Sequence, residues 1–168
     1  MSQLSLSLDS SLLVRDVAGD YRPANADEVL RAAQRVLAGQ MRGSEALTSP
    51  QVVRDFLRIK LGALEHEVFA VIHLDAQNRV IDYVEMFRGT VSQTSVYPRE
   101  VVKEALARNS AALLLVHNHP SGVAEPSRAD ELLTQTLKSA LALVDVRVLD
   151  HLIVAGSAIL SFAERGLL

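Results

Sequence analysis

Cysteine is absent from the 168 residues of this chain. The chain therefore forms no disulfide, has no thiolate nucleophile and holds no cysteine-ligated zinc ion or iron–sulfur cluster. Any metal ion that it binds must be held by histidine, aspartate or glutamate side chains. The lack of cysteine also fits a reducing compartment, as expected for a cytoplasmic protein.

Long apolar runs and a secretory leader are missing as well. No stretch approaches the ~20 apolar residues that a membrane-spanning helix needs. The opening residues, MSQLSLSLDSSLLVRD, contain neither the basic start nor the apolar core of a signal peptide. We therefore expect a soluble, cytoplasmic protein that makes no contact with a membrane.

Tryptophan is absent too, aromatic residues make up only 4% of the chain, and the formal net charge is −3. Proteins that bind nucleic acid usually present a basic face or aromatic side chains for base stacking. The basic residues of this chain are scattered, and acidic residues lie between many of them. Composition therefore does not favour nucleic acid as a partner, and only a local basic patch would allow it.

What the chain does have is apolar sequence, with 49% hydrophobic residues, enough for the core of one domain and a modest appendage. We expect a loosely held arm without regular structure in residues 1–24, and clear periodicity after it. The predicted helices span 25–41, 50–61, 97–109 and 127–143, and the predicted strands span 67–75, 79–87, 90–96, 111–116 and 146–155. This order predicts an α/β fold with a mixed β-sheet sandwiched by helices.

The segment VHNHPSGVAEPSRAD, residues 116–130, follows an apolar strand. His117 and His119 are two residues apart, so their side chains leave the strand on the same face. They lie at its C-terminal end, where α/β sheets tend to place their chemistry. The turn that follows and the helix that begins at Ser127 can bring Asp130 back to them. Two imidazoles and one carboxylate with an open fourth position are typical of a catalytic zinc site.

The same residues also have purely structural interpretations. Ser127 and Asp130 have the spacing of a helix capping box, with aspartate in place of the usual glutamate or glutamine. A single histidine at the end of a strand is more often an ordinary polar partner than a metal ligand. Two neighbouring imidazoles are harder to explain in this way, because both need partners. The residues alone leave the cap and the metal site open.

Residues 117–130 resemble the motif of the JAB/MPN metalloproteases, also called the JAMM motif: His-x-His-x10-Asp with a serine three residues before the aspartate. The resemblance to RadC-like proteins is closer, because other segments fit as well. These segments are FRGT at 87–90, PRE at 98–100, DHLIV at 150–154 and SF at 161–162. The resemblance covers residues 46–168 and implies a JAB/MPN-like, cytidine-deaminase-like fold. Residues 1–45 are left as an N-terminal arm and helix, which departs from the helix-hairpin-helix-like region of longer RadC-like proteins.

This resemblance implies a zinc-dependent hydrolase that cleaves a peptide or isopeptide bond by metal-activated water. One Zn²⁺ per chain would be held by His117, His119 and Asp130. Glu67, at the start of the first long strand, matches the general base of the family. Glu65 is the competing choice for that base, and Glu85 is a weaker one.

The resemblance gives Ser127 a supporting role, and strand position suggests roles for other residues. Ser127 would donate a hydrogen bond to the oxyanion that forms on the attacked carbonyl. Asp150 and His151 are candidates to contact a ligand imidazole from behind, since such rings usually donate their second N–H to a carboxylate or carbonyl. Asp150 is the better of the two for that task. We expect His73 to be structural and His66 to be exposed.

Three alternatives stay open at this point. In the first, the chain is a non-catalytic MPN module that binds partner proteins, although all five implied site residues are present. In the second, it has a DNA-associated or nuclease role, in line with the DNA-repair label of RadC-like proteins. A cupin-like site is a minor third possibility, which would need further ligands on following strands, where a helix comes instead. The apolar hairpin at 67–87 offers an edge for a homodimer.

Overall fold

A computed structural model of the protein describes residues 12–44, 50–90 and 95–168. Within these ranges the chain forms four α-helices and seven β-strands. The helices are α1 (Ala26–Met41), α2 (Pro50–Leu61), α3 (Pro98–Ala107) and α4 (Arg128–Ala142). The strands are β1 (Leu13–Arg15), β2 (Tyr21–Pro23), β3 (Val68–Leu74), β4 (Val80–Arg88), β5 (Ala112–Asn118), β6 (Arg147–Ala155) and β7 (Ala158–Ser161).

Five of the strands form one mixed sheet in the order β4-β3-β5-β6-β7. The β3–β4, β3–β5 and β6–β7 pairs are antiparallel, whereas β5 and β6 are parallel. Helix α4 makes the crossover between the two parallel strands, as such a pair requires. The predicted mixed sheet is confirmed.

Helices cover both faces of this sheet, because its central strands are apolar on both sides. Even-numbered residues of β3, such as Ala70 and Ile72, pack against α1 and α2. Odd-numbered residues, such as Phe69 and Val71, pack against α3 and α4. All seven residues of β3 and all seven of β5 are buried. The sandwich of helices around the sheet, the predicted fold class, is confirmed.

The predicted helix at 25–41 is also confirmed, including its start. Asn25 caps α1 by accepting a hydrogen bond from the backbone N–H of Glu28, whose side chain bonds back to Asn25 N–H. Met41, at the end of α1, is buried in the cluster between α2 and the sheet. The helix is therefore packed onto the domain.

The N-terminal arm is more ordered than expected where the structure describes it. Strands β1 and β2 form a two-stranded antiparallel hairpin. The Asp16 carboxylate closes its turn by accepting hydrogen bonds from Ala18 N–H and Asp20 N–H. These strands have three residues each and are mostly exposed, so they carry no hydrophobic period that sequence analysis could detect.

Two predictions fall wholly or partly on residues outside the described ranges. Of the extended piece predicted at 90–96, residues 91–94 lie outside them, and so does the predicted domain boundary at 45/46. β4 forms one edge of the sheet, as pairing of two chains through the β3–β4 hairpin would require. The homodimer itself stays a prediction. Among the described residues, no helix combines the length and the apolar character needed to cross a membrane.

Candidate metal centre

His117 and His119 lie side by side at the C-terminal end of β5. Their Nε2 atoms are 2.9 Å apart. His117 is opposite Phe69 of β3, so its ring lies on the face covered by α3 and α4. His119 follows the last residue of β5, and its N–H still donates to the Val154 carbonyl of β6 at 2.8 Å. This bond keeps the chain extended long enough for the two rings to share one face.

Asp130 reaches these rings from the first turn of α4. Ser127 caps this helix: its Oγ accepts from Asp130 N–H at 3.2 Å, and its own N–H donates to Asp130 Oδ2 at 2.7 Å. The capping box turns the carboxylate back toward β5. Asp130 Oδ1 lies 3.2 Å from His117 Nε2, and Asp130 Oδ2 lies 3.6 Å from His119 Nε2. The Asp130 carboxylate can therefore complete the capping box and face the two imidazoles at the same time.

Among the described residues, His117, His119 and Asp130 form a group that could hold a metal ion. Zinc binds imidazole nitrogen at about 2.0–2.1 Å, so tetrahedral ligand atoms lie roughly 3.3 Å apart. The His117 Nε2 to His119 Nε2 distance of 2.9 Å and the His117 Nε2 to Asp130 Oδ1 distance of 3.2 Å are close to that value. With one ligand atom taken from each residue, the three atoms all lie within 4.8 Å of one another, so the side chains can converge on one ion.

The second nitrogen of each ring has its own partner outside the centre. His119 Nδ1 lies 2.8 Å from the Val123 carbonyl oxygen, and His117 Nδ1 lies 2.9 Å from His151 Nε2. A carbonyl only accepts, so His119 carries a proton on Nδ1, and its neutral ring, the form that ligates a metal ion, has the lone pair on Nε2. Metal-binding histidines are typically oriented by a hydrogen bond of this kind.

Charge in the centre favours an ionised Asp130. Burial by itself would raise the pKa of this carboxyl, but hydrogen bonds that His117 and His119 donate in their protonated forms hold it well below its usual range. The same hydrogen bond with Asp130 raises the pKa of His119, against the effect of burial. The carboxylate is thus anionic at neutral pH, the state in which it can ligate a metal ion.

Glu67 lies next to this centre. Its carboxyl interacts electrostatically with His117, His119 and Asp130, so it lies near all three candidate ligands. Burial raises the pKa of Glu67, and the nearby His117 and His119 oppose that rise. This electrostatic coupling supports Glu67 over Glu65, which is exposed.

Glu85, the weaker candidate for the base, lies elsewhere. It pairs with Ala70, which faces α1 and α2, and its carboxylate forms an ion pair with Lys60 at 3.0 Å. The sheet therefore separates Glu85 from the two histidines. Its selection as a possible base is wrong.

The preference for Asp150 over His151 is also wrong. The Asp150 carboxylate accepts hydrogen bonds from Ser161 Oγ at 2.6 Å and from Ala163 N–H at 2.9 Å, and so binds the end of β7. His151, fully buried, is the residue that contacts His117. Alternation along β6 explains the outcome, because consecutive side chains point to opposite faces of a sheet.

Sequence analysis missed two residues that hold the site in place. The Asn118 side chain accepts from Val68 N–H at 2.8 Å and donates to the His66 carbonyl at 3.0 Å, so it bonds the backbone on both sides of Glu67. Thr134, one turn after Asp130 on α4, bonds to His151 at 2.6 Å. Only the i, i+4 spacing of Thr134 from Asp130 was a usable signal in the sequence.

The other two histidines lie away from the centre. His73 is fully buried, as expected of a structural residue, and its Nδ1 lies 2.8 Å from Ser110 Oγ. Burial lowers the pKa of His73 to about 4. His66 is half-buried instead of exposed, and its carbonyl accepts from Asn118.

Fold and site together define an α/β domain with a His-His-Asp centre at the end of a central strand. Residues 47–167 match the family model described as a RadC-like JAB domain. The chain belongs to this family, and the resemblance stated from its motifs is confirmed.

Relatives of high identity carry the name UPF0758 protein. The relative in Leptothrix cholodnii is 61% identical over 150 residues, which is 89% of this chain and 68% of the relative. The relative in Methylibium petroleiphilum is 56% identical over 167 residues, 95% of this chain and 75% of the relative. The relative in Aromatoleum aromaticum is 63% identical over 146 residues, 86% of this chain and 65% of the relative. The shared name states a family and no activity.

Proposed function

We propose that this chain is a zinc-dependent hydrolase of the JAMM type, which cleaves a peptide or isopeptide bond. The observation that carries the proposal is the convergence of His117, His119 and Asp130, whose ligand atoms lie within 4.8 Å of one another, beside the carboxyl of Glu67. Three protein ligands with one position left for water are the pattern of catalytic zinc sites. A site that only stabilised the fold would need no adjacent base.

His117, His119 and Asp130 are the residues that would hold the ion. Both imidazoles direct Nε2 into the centre, and the Asp130 carboxylate is held ionised there. When bound, zinc supplies a Lewis acid that lowers the pKa of a coordinated water toward ~7. Nitrogen and oxygen donors in this number suit zinc, and the cysteine-free chain has no thiolate to offer in their place.

Glu67 is the group that would move the proton. Its carboxylate accepts a proton from the attacking water and delivers it to the leaving amine. A general base works best when its pKa lies near the operating pH, and burial shifts the pKa of Glu67 upward, in that direction. The hydrogen bonds of Asn118 to the neighbouring backbone keep this carboxyl at the centre.

Ser127 would stabilise the oxyanion on the attacked carbonyl. Its Oγ donates to Asp130 Oδ2 at 2.6 Å. Donation to substrate therefore requires the hydroxyl to rotate away from Asp130. The backbone N–H of Ser127 keeps its own bond to the carboxylate during that rotation.

The test compares Glu67→Gln with the wild-type chain and with Glu65→Gln as the matched control. Each protein is loaded with zinc and screened against peptide and isopeptide libraries. We expect Glu67→Gln to bind zinc like the wild type and to lose hydrolysis, and Glu65→Gln to keep both properties. Hydrolysis by Glu67→Gln at the wild-type rate would show that the base assignment is wrong.

A scaffold without activity is distinguished by metal content. A non-catalytic MPN module would be fully stable without zinc and would bind no stoichiometric metal. For the proposed enzyme we expect one zinc ion per chain by metal analysis, and we expect it to be lost in His117→Ala.

A role in nucleic-acid binding is the second candidate, and one cleft favours it. Between α1, α2 and β4 lies a cleft of about 320 Å³, whose charged lining consists of four cations and one carboxylate: Arg31, Arg35, Arg42, Lys60 and Asp82. The cations that look scattered in the sequence are therefore partly gathered in space. Among the described residues, Arg31 and Arg35 have no carboxylate within ion-pair distance, so they are the cations available to a phosphate.

A salt titration tests this second candidate. Phosphate contacts make binding fall steeply with salt concentration, by roughly one logarithmic unit of affinity per logarithmic unit of salt for each contact. Gel shifts with single- and double-stranded oligonucleotides are measured for the wild type and for the double variant Arg31→Gln, Arg35→Gln. A salt slope that the double variant does not reduce would exclude this cleft as the binding site.

A further inference from the structure

Behind the candidate metal centre, buried polar groups form a continuous hydrogen-bond chain. It runs from His117 Nδ1 to His151 Nε2 (2.9 Å) and from His151 Nδ1 to Thr134 Oγ1 (2.6 Å). It ends where Thr134 Oγ1 meets the backbone carbonyl of Asp130 at 2.6 Å. His151 and Thr134 are fully buried and His117 is nearly so, so these groups must find their hydrogen-bond partners inside the protein.

The Asp130 carbonyl fixes which group donates in each hydrogen bond of this network. A carbonyl oxygen only accepts, so the Thr134 hydroxyl donates to it. That hydroxyl has a single proton and therefore accepts from His151 Nδ1–H. A neutral His151 ring then has a bare Nε2, which accepts from His117 Nδ1–H.

At the other end of this hydrogen-bond network lies His117, whose Nε2 is the atom that would bind a metal ion. In a neutral His117 ring, the proton on Nδ1 leaves the lone pair on Nε2, the atom that faces Asp130 Oδ1 at 3.2 Å. The opposite arrangement would put a proton on Nε2 and point it at the ion. One set of protons therefore satisfies the carbonyl at one end and a metal ligand at the other.

The rings around His151 hold it in this orientation. Phe162 stacks on the His151 ring, with centroids 4.8 Å apart and planes at 30°. Phe69 meets the same ring edge-on, with centroids 6.0 Å apart. Rotation of the ring between these two neighbours would break both of its nitrogen hydrogen bonds.

We infer that His151 and Thr134 are positioning residues, which set the tautomer of His117 for metal binding from the backbone carbonyl of Asp130. The inference rests on the proposed zinc site and deepens it. Asp130 then acts twice: its carboxylate is a ligand, and its carbonyl orients the ligand imidazole across from it.

A neighbouring threonine provides the matched control. Threonine hydroxyls in helices often bond to the carbonyl four residues earlier, with no functional role. Thr136 does so with the Leu132 carbonyl at 2.8 Å and is exposed. Thr134 makes the same bond and in addition accepts from a buried imidazole. A comparison of the two positions separates the helical bond from the orienting role.

The first experiment measures zinc affinity by competition with a chromogenic chelator for the whole chain. Loss of an outer partner of a metal-ligating histidine typically weakens metal binding by about 10–100-fold. We expect that loss for Thr134→Val, and affinities within about 3-fold of wild type for Thr134→Ser and Thr136→Val. Zinc binding by folded Thr134→Val at the wild-type affinity would overturn the inference, as would failure of Thr134→Ser to retain it.

The second experiment reads the tautomers directly. Imidazole nitrogen shifts in ¹⁵N-labelled protein, recorded with and without zinc, should place the protons of His117 and His151 on Nδ1. A proton on Nε2 of His151 would overturn the inference. This spectrum needs neither substrate nor activity. Should the wild type bind no zinc, the proposed function would fail. The tautomer of His151 would still show which groups donate in the hydrogen bonds between His117, His151 and Thr134.

Discussion

At the scale of single residues, the candidate centre depends on side chains that have two partners each. Asp130 completes the capping box of α4 and lies within 3.2 and 3.6 Å of the two imidazoles. The Asn118 side chain accepts a hydrogen bond from the backbone N–H of Val68 on β3, and Asn118 also lies between the two histidines in the sequence. A substitution at such a position removes two functions together, so its effects must be measured separately.

Ser127→Ala separates the cap from the oxyanion donor. We expect kcat to fall about 100-fold or more, the usual cost of one oxyanion-hole donor. We expect zinc affinity to fall much less, because the Ser127 N–H still bonds to Asp130 Oδ2 at 2.7 Å. Metal competition and steady-state kinetics measure the two effects, with Ser121→Ala in the same loop as the control. If zinc binding falls more than kcat does, Ser127 only positions Asp130.

Asn118→Ala tests how Glu67 is held. The variant leaves Val68 N–H and the His66 carbonyl without the side chain that pairs them. A shift of the base by about 1 Å can cost on the order of 100-fold in rate, so we expect kcat/KM to fall on that scale. Zinc affinity should change little, since Asn118 is not a proposed ligand. Undiminished hydrolysis would show that Glu67 needs no such support.

At the scale of elements, the two faces of the sheet have different tasks. The face covered by α3 and α4 carries the centre at its edge, since His117 and His151 both point to that side. The face covered by α1 and α2 is an apolar core, which ends in the charged cleft beside β4. Helix α2 also closes against the turn between β6 and β7, where Arg58 Nε donates to the Ser157 carbonyl at 2.8 Å.

Gly62→Ala tests this contact between α2 and the β6–β7 turn. A Cβ at Gly62 would lie 2.5 Å from the Gly156 carbonyl oxygen and 2.6 Å from the Arg58 carbonyl oxygen. Backbone atoms cannot move aside easily, so we expect a loss of about 1–3 kcal/mol in the free energy of unfolding. Gly39→Ala in α1, where nothing lies within 4 Å of a new Cβ, is the control. It should stabilise the protein by up to about 1 kcal/mol. Equal urea midpoints for both variants would contradict the tight contact at Gly62.

At the scale of the whole molecule, stability should depend on pH through His73. Burial lowers its pKa in the folded protein to about 4, below the ordinary histidine value of 6.5. Above pH 6.5 the residue is neutral in both states and contributes nothing to the dependence. As the pH falls from about 6.5 to about 4, the unfolded chain binds a proton that the folded chain does not, so stability falls.

The size of this effect follows from the shift. Each pKa unit corresponds to about 1.4 kcal/mol, so the loss through His73 is on the order of 2–3 kcal/mol by pH 4. His73→Gln removes this titration and can still bond to Ser110. Urea unfolding between pH 4 and 7.5 should therefore give a shallower pH slope for the variant than for the wild type. Identical slopes would show that His73 is protonated equally in the folded and unfolded chains.

The sequence by itself determined most of the elements and the three candidate ligands. Strong apolar periods fixed α1, α2 and β3 to within a few residues, because long periodic segments leave little choice of structure. The His117 and His119 pair, two residues apart, already placed both rings on one face, and the spacing of Ser127 and Asp130 predicted the capping box that returns the carboxylate to them.

Only the tertiary structure decided which residues support these ligands. Asp150 and His151 are neighbours in sequence, and the register of β6 against β5 alone places His151 behind His117 and sends Asp150 to the other face. Thr134 and Asn118 were not found for the same reason, since their partners are 17 and 50 residues away. Local sequence encodes the period and the cap, whereas contacts between distant segments depend on how strands pair, which a single sequence does not specify.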